Sequence, residues 1–261
     1  MKIVFLDADS IGSDIDLSGF SELGEVTRYG YTEACDMPER IRDADVIIVN
    51  KMEVNARTVG EAPDLKLVCV TATGTNNLDK DFLDARGIAW KNVAGYSTEN
   101  VAQHTFALLF SLLEKMSYYD AYVKSGRYEN DRMFTHFSNV FHELYGSTWG
   151  IIGLGTIGRR VADIAKAFGC HVIYYSTSGT HEEAGYERVD FDILLKTSDV
   201  VSVHAPLNEN TLDLMDKDAF AKMKNSAIFI NVGRGPIVVE EDLADALENG
   251  VIAAAGLDVL R

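Results

Sequence analysis

The sequence predicts an α/β fold with two doubly wound parallel-sheet domains, the second of them incomplete at its C-terminal edge. Short apolar segments of strand type alternate with helical segments in both halves of the chain, a pattern typical of parallel sheets covered by helices. The final segment, GVIAAAGLDVLR, has the pattern of a turn followed by an interior strand. The chain has 261 residues, of which 47% are apolar, so it can form the cores of two ordinary domains.

The first of the two units is predicted to precede a long helix. KIVFLDA has the pattern of a first strand, VTRYG of a short second one, and Val46–Val49 of a buried third strand. LKLVCVTATGTNN predicts a strand that runs into a polar glycine turn. DKDFLDARGIAWKNV predicts a helix that Gly87 ends, followed by another strand.

One long helix is predicted to join the first unit to the second. Ser97 or Thr98 can cap this helix, and Glu99 lies favourably in its first turn. Its apolar face is marked by residues at helical spacing, namely Val101, Thr105, Leu108, Leu112 and Met116.

Residues 118–145 interrupt the alternation of strands and helices. The segment is rich in Tyr, Phe, Asn and His and has little periodicity. Two interpretations stay open, because such a segment can pack against another subunit or form an irregular surface excursion within one chain.

Composition excludes several classes of protein. Lys and Arg number 24 and Asp and Glu number 40, a net charge of −16, which argues against nucleic acid or anionic membranes as partners. Cys35, Cys69 and Cys170 are far apart and are expected to be free thiols, the last two buried, in a reducing cytoplasm. MKIVFLDAD is too short an apolar run for a signal peptide, and no metal site is expected around His136 and His142.

A glycine-rich turn carries the strongest signal. In TWGIIGLGTIGRRVADIAKAFG, Gly153, Gly155 and Gly158 follow an apolar strand and open an amphipathic helix. Gly153 permits the tight turn, Gly155 lets a pyrophosphate approach the backbone, and Gly158 lets the helix pack close to the sheet. The helix N-terminus offers N–H groups to the phosphates, so this segment predicts a dinucleotide site.

The end of the next strand bears on the choice between NAD and NADP. The segment Tyr174–Ser178 has no carboxylate to bind the adenosine ribose or repel a 2′-phosphate, and Ser176 is the candidate contact. Its hydroxyl groups favour NADP slightly, with dual use close behind, although no Arg or Lys stands alongside in the sequence. The alternative is an ordinary polar loop.

Four segments of the chain jointly resemble the D-isomer-specific 2-hydroxyacid dehydrogenases, and most of all their glycerate dehydrogenase (hydroxypyruvate reductase) group. These segments are STENVAQHTFALL, GIIGLGTIGRRVA, DVVSVHAPLNENT and AIFINVGRGPIV. The resemblance implies two Rossmann-like domains with a cleft between them, a substrate domain over residues 1–96 and a cofactor domain over residues 97–261. A homodimer formed through the cofactor domain is implied as well. It also implies NAD(P)H-dependent reduction of a small 2-ketoacid, hydroxypyruvate or glyoxylate, to the D-2-hydroxyacid.

The resemblance assigns substrate contacts to two segments. Arg234, in INVGRG, matches the arginine that binds the substrate carboxylate and polarises the keto oxygen, a task that suits a planar, permanently charged guanidinium. Thr73, Gly74 and Thr75 match a loop whose backbone N–H groups hold the same carboxylate, the alternative being an ordinary strand-to-helix turn.

The resemblance also assigns cofactor contacts. The implied contacts lie along the pyrophosphate (Thr156, Ile157), the ribose and nicotinamide side (Ala205, Pro206, Thr211), the nicotinamide pocket (Val232, Gly233) and the nicotinamide carboxamide (Asp258). The alternative for Asp258 is a turn residue at a strand end. His204 is interpreted as structural, and His104, on the long helix, as a satisfied core histidine.

The family's proton donor, a histidine tuned by a glutamate, has no match before Arg261. The favoured expectation is therefore that the sequence is a C-terminally truncated part of a full enzyme. The alternatives are a natural short form that binds the dinucleotide without catalysis, and a site that another subunit completes.

Overall fold

The computed structural model describes residues 1–180 and 182–261 and divides into two compact units, Met1–Ser97 and Thr98–Arg261. Each unit is built on its own parallel β-sheet with helical connections. The predicted α/β class with two doubly wound sheets is confirmed.

The first unit contains a five-stranded parallel sheet with the order β2-β1-β3-β4-β5. Its strands are β1 (Lys2–Phe5), β2 (Glu25–Arg28), β3 (Val46–Val49), β4 (Leu67–Val70) and β5 (Ala89–Asn92). Its helices are α1 (Met37–Arg40), α2 (Ala56–Val59) and α3 (Lys80–Ala85). The VIIV sequence of β3 is buried at every position, as expected for a central strand covered on both faces.

A buried aspartate fixes the point at which the strand order of the first sheet reverses. Asp7 follows β1 and is 6% exposed. Its carboxylate accepts hydrogen bonds from the backbone N–H groups of Asn50, at 2.9 and 3.0 Å, and of Lys51, at 2.7 Å. The loops after β1 and β3 are thereby joined at the carboxyl edge of the sheet.

The second unit contains, among its described residues, a six-stranded parallel sheet with the order β11-β10-β9-β6-β7-β8. Its strands are β6 (Thr148–Ile152), β7 (His171–Tyr175), β8 (Glu187–Arg188), β9 (Val200–Val203), β10 (Ile228–Asn231) and β11 (Ala254–Leu257). Its helices are α4 (Thr98–Leu113), α5 (Met116–Lys124), α6 (Thr156–Ala167), α7 (Phe191–Thr197), α8 (Lys217–Lys222) and α9 (Glu240–Glu248).

The strand order of the second sheet reverses between β6 and β9. Chain connections leave these neighbouring strands toward opposite faces, so a crevice opens at their carboxyl ends. The glycine loop follows β6, and the segment His204–Pro206 follows β9. The topology therefore brings two of the predicted cofactor segments to the same crevice.

The prediction of one continuous helix that reaches Met116 is wrong. α4 ends at Leu113, Lys115 adopts the left-handed conformation with φ 52°, and α5 then covers the start of the segment expected to be irregular. This conformation costs about 1 kcal/mol for a residue with a Cβ, so tertiary contacts must stabilise the break. Farther along α5, the ring of Tyr122 stacks on that of His136, with the ring centroids 3.9 Å apart. Among the described residues, no helix combines the length and apolarity needed to cross a membrane.

The packing of α4 on the sheet explains a second feature of the sequence. A Cβ at Gly256, in β11, would lie 3.1 Å from Leu108 Cβ and 3.3 Å from Leu112 Cδ1, both on α4. The small-residue sequence AAGL of β11 therefore lets the helix cross closely over this strand.

The three cysteines are free thiols. Cys170 is buried as expected, and burial raises its pKa to about 11. The expectation of a buried Cys69 is wrong, because this side chain, in β4, is only half-buried. Cys35 is exposed.

Candidate functional site

The glycine loop connects β6 to α6 in a conformation that requires glycine. Gly153 has φ +91°, and a Cβ there would lie 2.8 Å from both the Cα and the backbone N of Ala205. Its N–H donates to the carbonyl oxygen of Tyr175 at 3.1 Å, which continues the β6–β7 ladder into the loop. At Gly158, a Cβ would collide with the carbonyl oxygen of Gly153 and lie 3.3 Å from Ile151 Cγ2. Helix and loop therefore pack backbone against backbone.

Gly155 differs from its neighbours because nothing lies within 4 Å of the position its Cβ would occupy. Gly155 is the N-cap residue of α6, so no capping side chain covers the N-terminus of the helix. Thr156 and Ile157 begin its first turn. The N–H groups of a first turn have no partners within the helix and carry the positive end of its dipole. An anionic group can therefore approach the backbone at Gly155 and meet these donors.

The segment after β9 lies directly against this loop. Ala205 is buried and contacts Gly153, while Pro206 is exposed. The buried hydroxyl of Thr211 donates to the carbonyl oxygen of Pro206 at 2.7 Å and accepts from the N–H of Asn208 at 2.8 Å. Thr211 thus fixes the shape of the loop that carries Pro206.

His204 has one ring nitrogen in a network and one without a partner. The hydroxyl oxygen of Ser202 accepts from Trp149 Nε1 at 2.8 Å and lies 3.0 Å from His204 Nε2. His204 Nδ1 is buried and has no hydrogen-bond partner among the described residues. Burial lowers the pKa of His204 to about 3, so the ring is neutral at pH 7. An orphaned buried nitrogen beside the glycine loop fits a site that a polar ligand completes.

The turn after β10 is stabilised by an asparagine that the sequence reasoning missed. Asn231 is 1% exposed; its Oδ1 accepts from the N–H of Gly233, and its Nδ2 donates to the carbonyl oxygen of Arg234, both at 3.0 Å. Val232 and Gly233 are buried, and a Cβ on Gly233 would lie 3.1 Å from the carbonyl oxygen of Ala205. The turn therefore packs on the segment after β9.

Arg234 emerges from this turn half-buried, and its Nη1 donates to the carbonyl oxygen of Gly233 at 2.7 Å. This bond orients the guanidinium from its own backbone. A planar fork held in this way is suited to bidentate recognition of a carboxylate.

Asp258 extends the β10–β11 ladder by one residue, since its N–H donates to the carbonyl oxygen of Asn231 at 3.0 Å. Its carboxylate lies 3.3 Å from Nε2 of His104 on α4, and both side chains are 45% exposed. The expectation that His104 is a core histidine is therefore wrong. The buried face of α4 is formed instead by Ala102, Thr105, Phe106 and Leu109.

The loop that follows β7 begins at Ser176 and is contacted by two arginines. Ser176 is 3% exposed, and its Oγ lies 3.3 Å from Ser178 Oγ. Arg188, in β8, donates from Nη2 to the carbonyl oxygen of Gly179 at 2.6 Å. Arg159, in α6, pairs with Glu183 of the same loop at 2.9 Å. Sequence proximity could not reveal these two arginines, because the fold brings them to the loop from α6 and β8.

The first unit carries the predicted loop Thr73–Thr75 at the carboxyl end of β4. Asn92 Nδ2 donates to the carbonyl oxygen of Thr73 at 2.7 Å, and the hydroxyl of Thr73 donates to the carbonyl oxygen of Val93 at 3.3 Å. Among the described residues, none accepts a hydrogen bond from the backbone N–H groups of Thr73, Gly74 or Thr75. The loop is thus fixed by its side chains and carbonyl groups while its N–H groups stay available.

Comparison with known proteins agrees with this geometry. The family model described as D-isomer specific 2-hydroxyacid dehydrogenase, NAD binding domain, matches residues 106–261. Hydroxypyruvate reductase of Blautia hydrogenotrophica is 37% identical over 266 residues, covering 100% of this chain and 83% of the relative. Glycerate dehydrogenase of Methylorubrum extorquens is 35% identical, covering 99% and 81%.

A solved structure shows the same fold. The NADPH-dependent glyoxylate/hydroxypyruvate reductase of Sinorhizobium meliloti, in complex with NADP and malonate, superposes with a TM-score of 0.85 at 28% identity. The match covers 100% of this chain and 79% of that one. With the family match, these similarities identify Thr98–Arg261 as a nicotinamide dinucleotide-binding unit. The chain belongs to the D-isomer-specific 2-hydroxyacid dehydrogenases, a family of oxidoreductases.

Proposed function

We propose that the chain reduces hydroxypyruvate or glyoxylate to the corresponding D-2-hydroxyacid with NAD(P)H. The observation that carries the proposal is the carboxyl edge of the second sheet. There the open side of Gly155 and the N-terminus of α6 adjoin the segment after β9, on which the Arg234 turn packs. The names of the hydroxypyruvate and glyoxylate reductases among the relatives support this substrate class.

The residues of the second unit fit the dinucleotide. Thr156, Ile157 and Gly158 are proposed to donate backbone N–H groups to the pyrophosphate, since a Cβ at Gly155 would occupy open space. Ser176 is proposed to contact the adenosine ribose. The nicotinamide end is assigned to Ala205, Pro206, Thr211, Val232, Gly233 and Asp258. When bound, the reduced nicotinamide supplies the hydride.

Arg234, in the second unit, is proposed to bind the substrate carboxylate, and the loop Thr73–Thr75, in the first unit, is proposed separately as a substrate contact. The guanidinium supplies a fixed positive charge that also polarises the keto oxygen as negative charge develops there. The loop supplies backbone N–H groups, for which no acceptor is present among the described residues. We therefore propose residues 1–96 as the substrate domain.

Turnover distinguishes this proposal from dinucleotide binding without catalysis. Ketoacid-dependent oxidation of NADPH supports the proposal, because dinucleotide binding without catalysis consumes no NADPH. Binding of NADPH with no turnover of hydroxypyruvate or glyoxylate would instead support the alternative.

The substrate assay is NADPH oxidation with hydroxypyruvate, glyoxylate and pyruvate, followed by chiral analysis of the product. Arg234→Lys is expected to raise the KM for each ketoacid about tenfold or more, because the bidentate grip is lost. Arg160→Lys, an exchange on α6 away from this turn, is the matched control. An unchanged KM in Arg234→Lys, or an L-product, would contradict the proposal.

We infer a slight preference for NADP over NAD. No carboxylate follows β7 at Ser176, the hydroxyl oxygens of Ser178 and Thr180 lie 3.4 Å apart, and Arg188 binds the same turn. Hydroxyl and guanidinium donors suit a 2′-phosphate. Fluorescence titration with NADH and NADPH compares the two affinities, and clearly tighter NADH binding would contradict the preference.

We also infer that a second copy of the chain covers the exposed aromatic segment, making a homodimer. The described side chains of Phe134, Phe137, Val140 and Tyr145 are each at least 80% exposed. Exposed apolar clusters of this kind mark interfaces, and closed twofold dimers are the commonest assembly. Phe134→Glu with Phe137→Glu should convert a dimer to a monomer in light scattering. A monomeric parent chain would refute the inference.

A cytoplasmic location is proposed from the free thiols. Cys35, Cys69 and Cys170 form no disulfide, which suits a reducing compartment. Cell fractionation with antibody detection tests this, and recovery from an oxidising compartment would contradict it.

A further inference from the structure

The loop that follows β7 is attached to α6 and presents several polar groups. A turn closes from the N–H of Gly179 to the carbonyl oxygen of Ser176 at 3.0 Å. Farther along, Lys166 of α6 donates to the carbonyl oxygen of Gly185 at 2.6 Å, and Tyr186 hydrogen-bonds Asp163 of α6. The loop is therefore fixed against the helix that the glycine loop begins.

Arg159 lies on the side of α6 that faces this loop. Its Nη1 is 2.9 Å from Glu183 Oε2, whereas the next residue, Arg160, pairs through Nε with Glu99 of α4 at 2.8 Å. Adjacent arginines thus point to different elements. Arg159 belongs to the first turn after Gly158, close in sequence to the proposed pyrophosphate contacts.

Glu183 is a positioned partner rather than a mobile surface carboxylate. Its backbone N–H donates to the hydroxyl of Tyr174 at 3.0 Å, and Tyr174 is 1% exposed. The Glu183 side chain is only 25% exposed. By contrast, Glu182 is 86% exposed and lies 3.8 Å from Arg188. Glu183 therefore places a fixed negative charge on Arg159.

We infer that Glu183 is a specificity-determining residue, which competes with a 2′-phosphate for Arg159 and so limits the preference for NADP over NAD. The inference rests on the proposed dinucleotide site. A guanidinium recognises carboxylate and phosphate with the same fork of donors, so the two anions compete for it and repel each other. NADH lacks the 2′-phosphate, so its binding does not require the ion pair between Arg159 and Glu183 to break.

The test measures four dissociation constants by calorimetry, those of NADPH, NADH, 2′,5′-ADP and 5′-AMP. In Glu183→Gln, NADPH and 2′,5′-ADP should bind about twofold to fivefold tighter, because a partly exposed charge pair is worth up to roughly a factor of five in affinity. NADH and 5′-AMP should be unchanged. Glu99→Gln, which releases Arg160 instead, is the matched control and should leave all four constants unchanged.

A second variant tests the pair from its other member. Arg159→Gln should weaken NADPH and 2′,5′-ADP selectively and should abolish the effect of Glu183→Gln in the double variant. An unchanged NADPH-to-NADH ratio in Glu183→Gln overturns the inference while the proposed function stands. Failure of the parent chain to bind either cofactor overturns the proposed function, and the inference with it.

Discussion

His204, which is half-buried after β9 with its Nδ1 enclosed, leads to a prediction about stability and pH. Burial lowers the pKa of His204 from 6.5 to about 3. The unfolded chain takes up a proton at this ring as the pH falls through about 6.5, whereas the folded chain does not until about pH 3. Between about pH 3 and pH 6.5, the unfolded state binds more protons at this ring than the folded state does. The contribution of His204 to the free energy of unfolding is therefore fully present above about pH 6.5 and decreases as the pH falls below it. At about 1.36 kcal/mol per unit, the loss from pH 7 to pH 5 is about 2 kcal/mol.

The assay is urea unfolding at pH 7, 6 and 5 in a Trp90→Phe background, in which Trp149 fluorescence reports the second unit. Trp149 is buried and bonded to Ser202, so its emission follows the structure around His204. His204→Gln should be less stable at pH 7. Its free energy of unfolding should change by about 2 kcal/mol less between pH 7 and pH 5 than that of the parent chain. His171→Gln removes an exposed histidine and is the control. Equal pH dependence in the parent and in His204→Gln would refute the reasoning.

Three further predictions concern the loop and the turn. Gly158→Ala should cost about 1–3 kcal/mol, because its Cβ collides with the carbonyl oxygen of Gly153; an unchanged melting temperature would contradict this packing. Asn231→Ala removes both hydrogen bonds of the turn that carries Gly233 and Arg234, so the ketoacid KM should rise and the cofactor should bind more weakly; unchanged values of both would contradict the role of Asn231. Ser202→Ala leaves the Trp149 N–H buried without an acceptor, and urea unfolding should show a loss of about 1–3 kcal/mol; wild-type stability would refute it.

Local patterns were sufficient to predict the sheet architecture. A buried strand such as β3 is a continuous apolar run, and a strand-to-helix glycine turn has fixed requirements at each position. The spacing of Gly153, Gly155 and Gly158 therefore predicts a close approach at the first and third positions and an open one at the second. The folded loop has this difference: protein atoms crowd Gly153 and Gly158, and none outside the adjoining residues crowds Gly155.

Features that depend on tertiary contacts could not be predicted in this way. The break at Lys115 has no glycine or proline to mark it. Arg159 and Arg188 reach the loop after β7 from other elements. Asn231 offered a weak signal, as an asparagine between a buried strand and a glycine turn, but its two hydrogen bonds become visible only in the folded turn.

The central claim is that a dinucleotide lies against the backbone at Gly155, and calorimetric titration of NADH and NADPH into the parent chain and Gly155→Val tests it most directly. A Cβ at Gly155 meets no protein atom within 4 Å, and its φ of −81° suits an L-residue, so the variant should fold. The account predicts that the parent binds and that Gly155→Val, with an unchanged circular dichroism spectrum, does not. Failure of the folded parent to bind either nucleotide, or equal affinity in the variant, would contradict it.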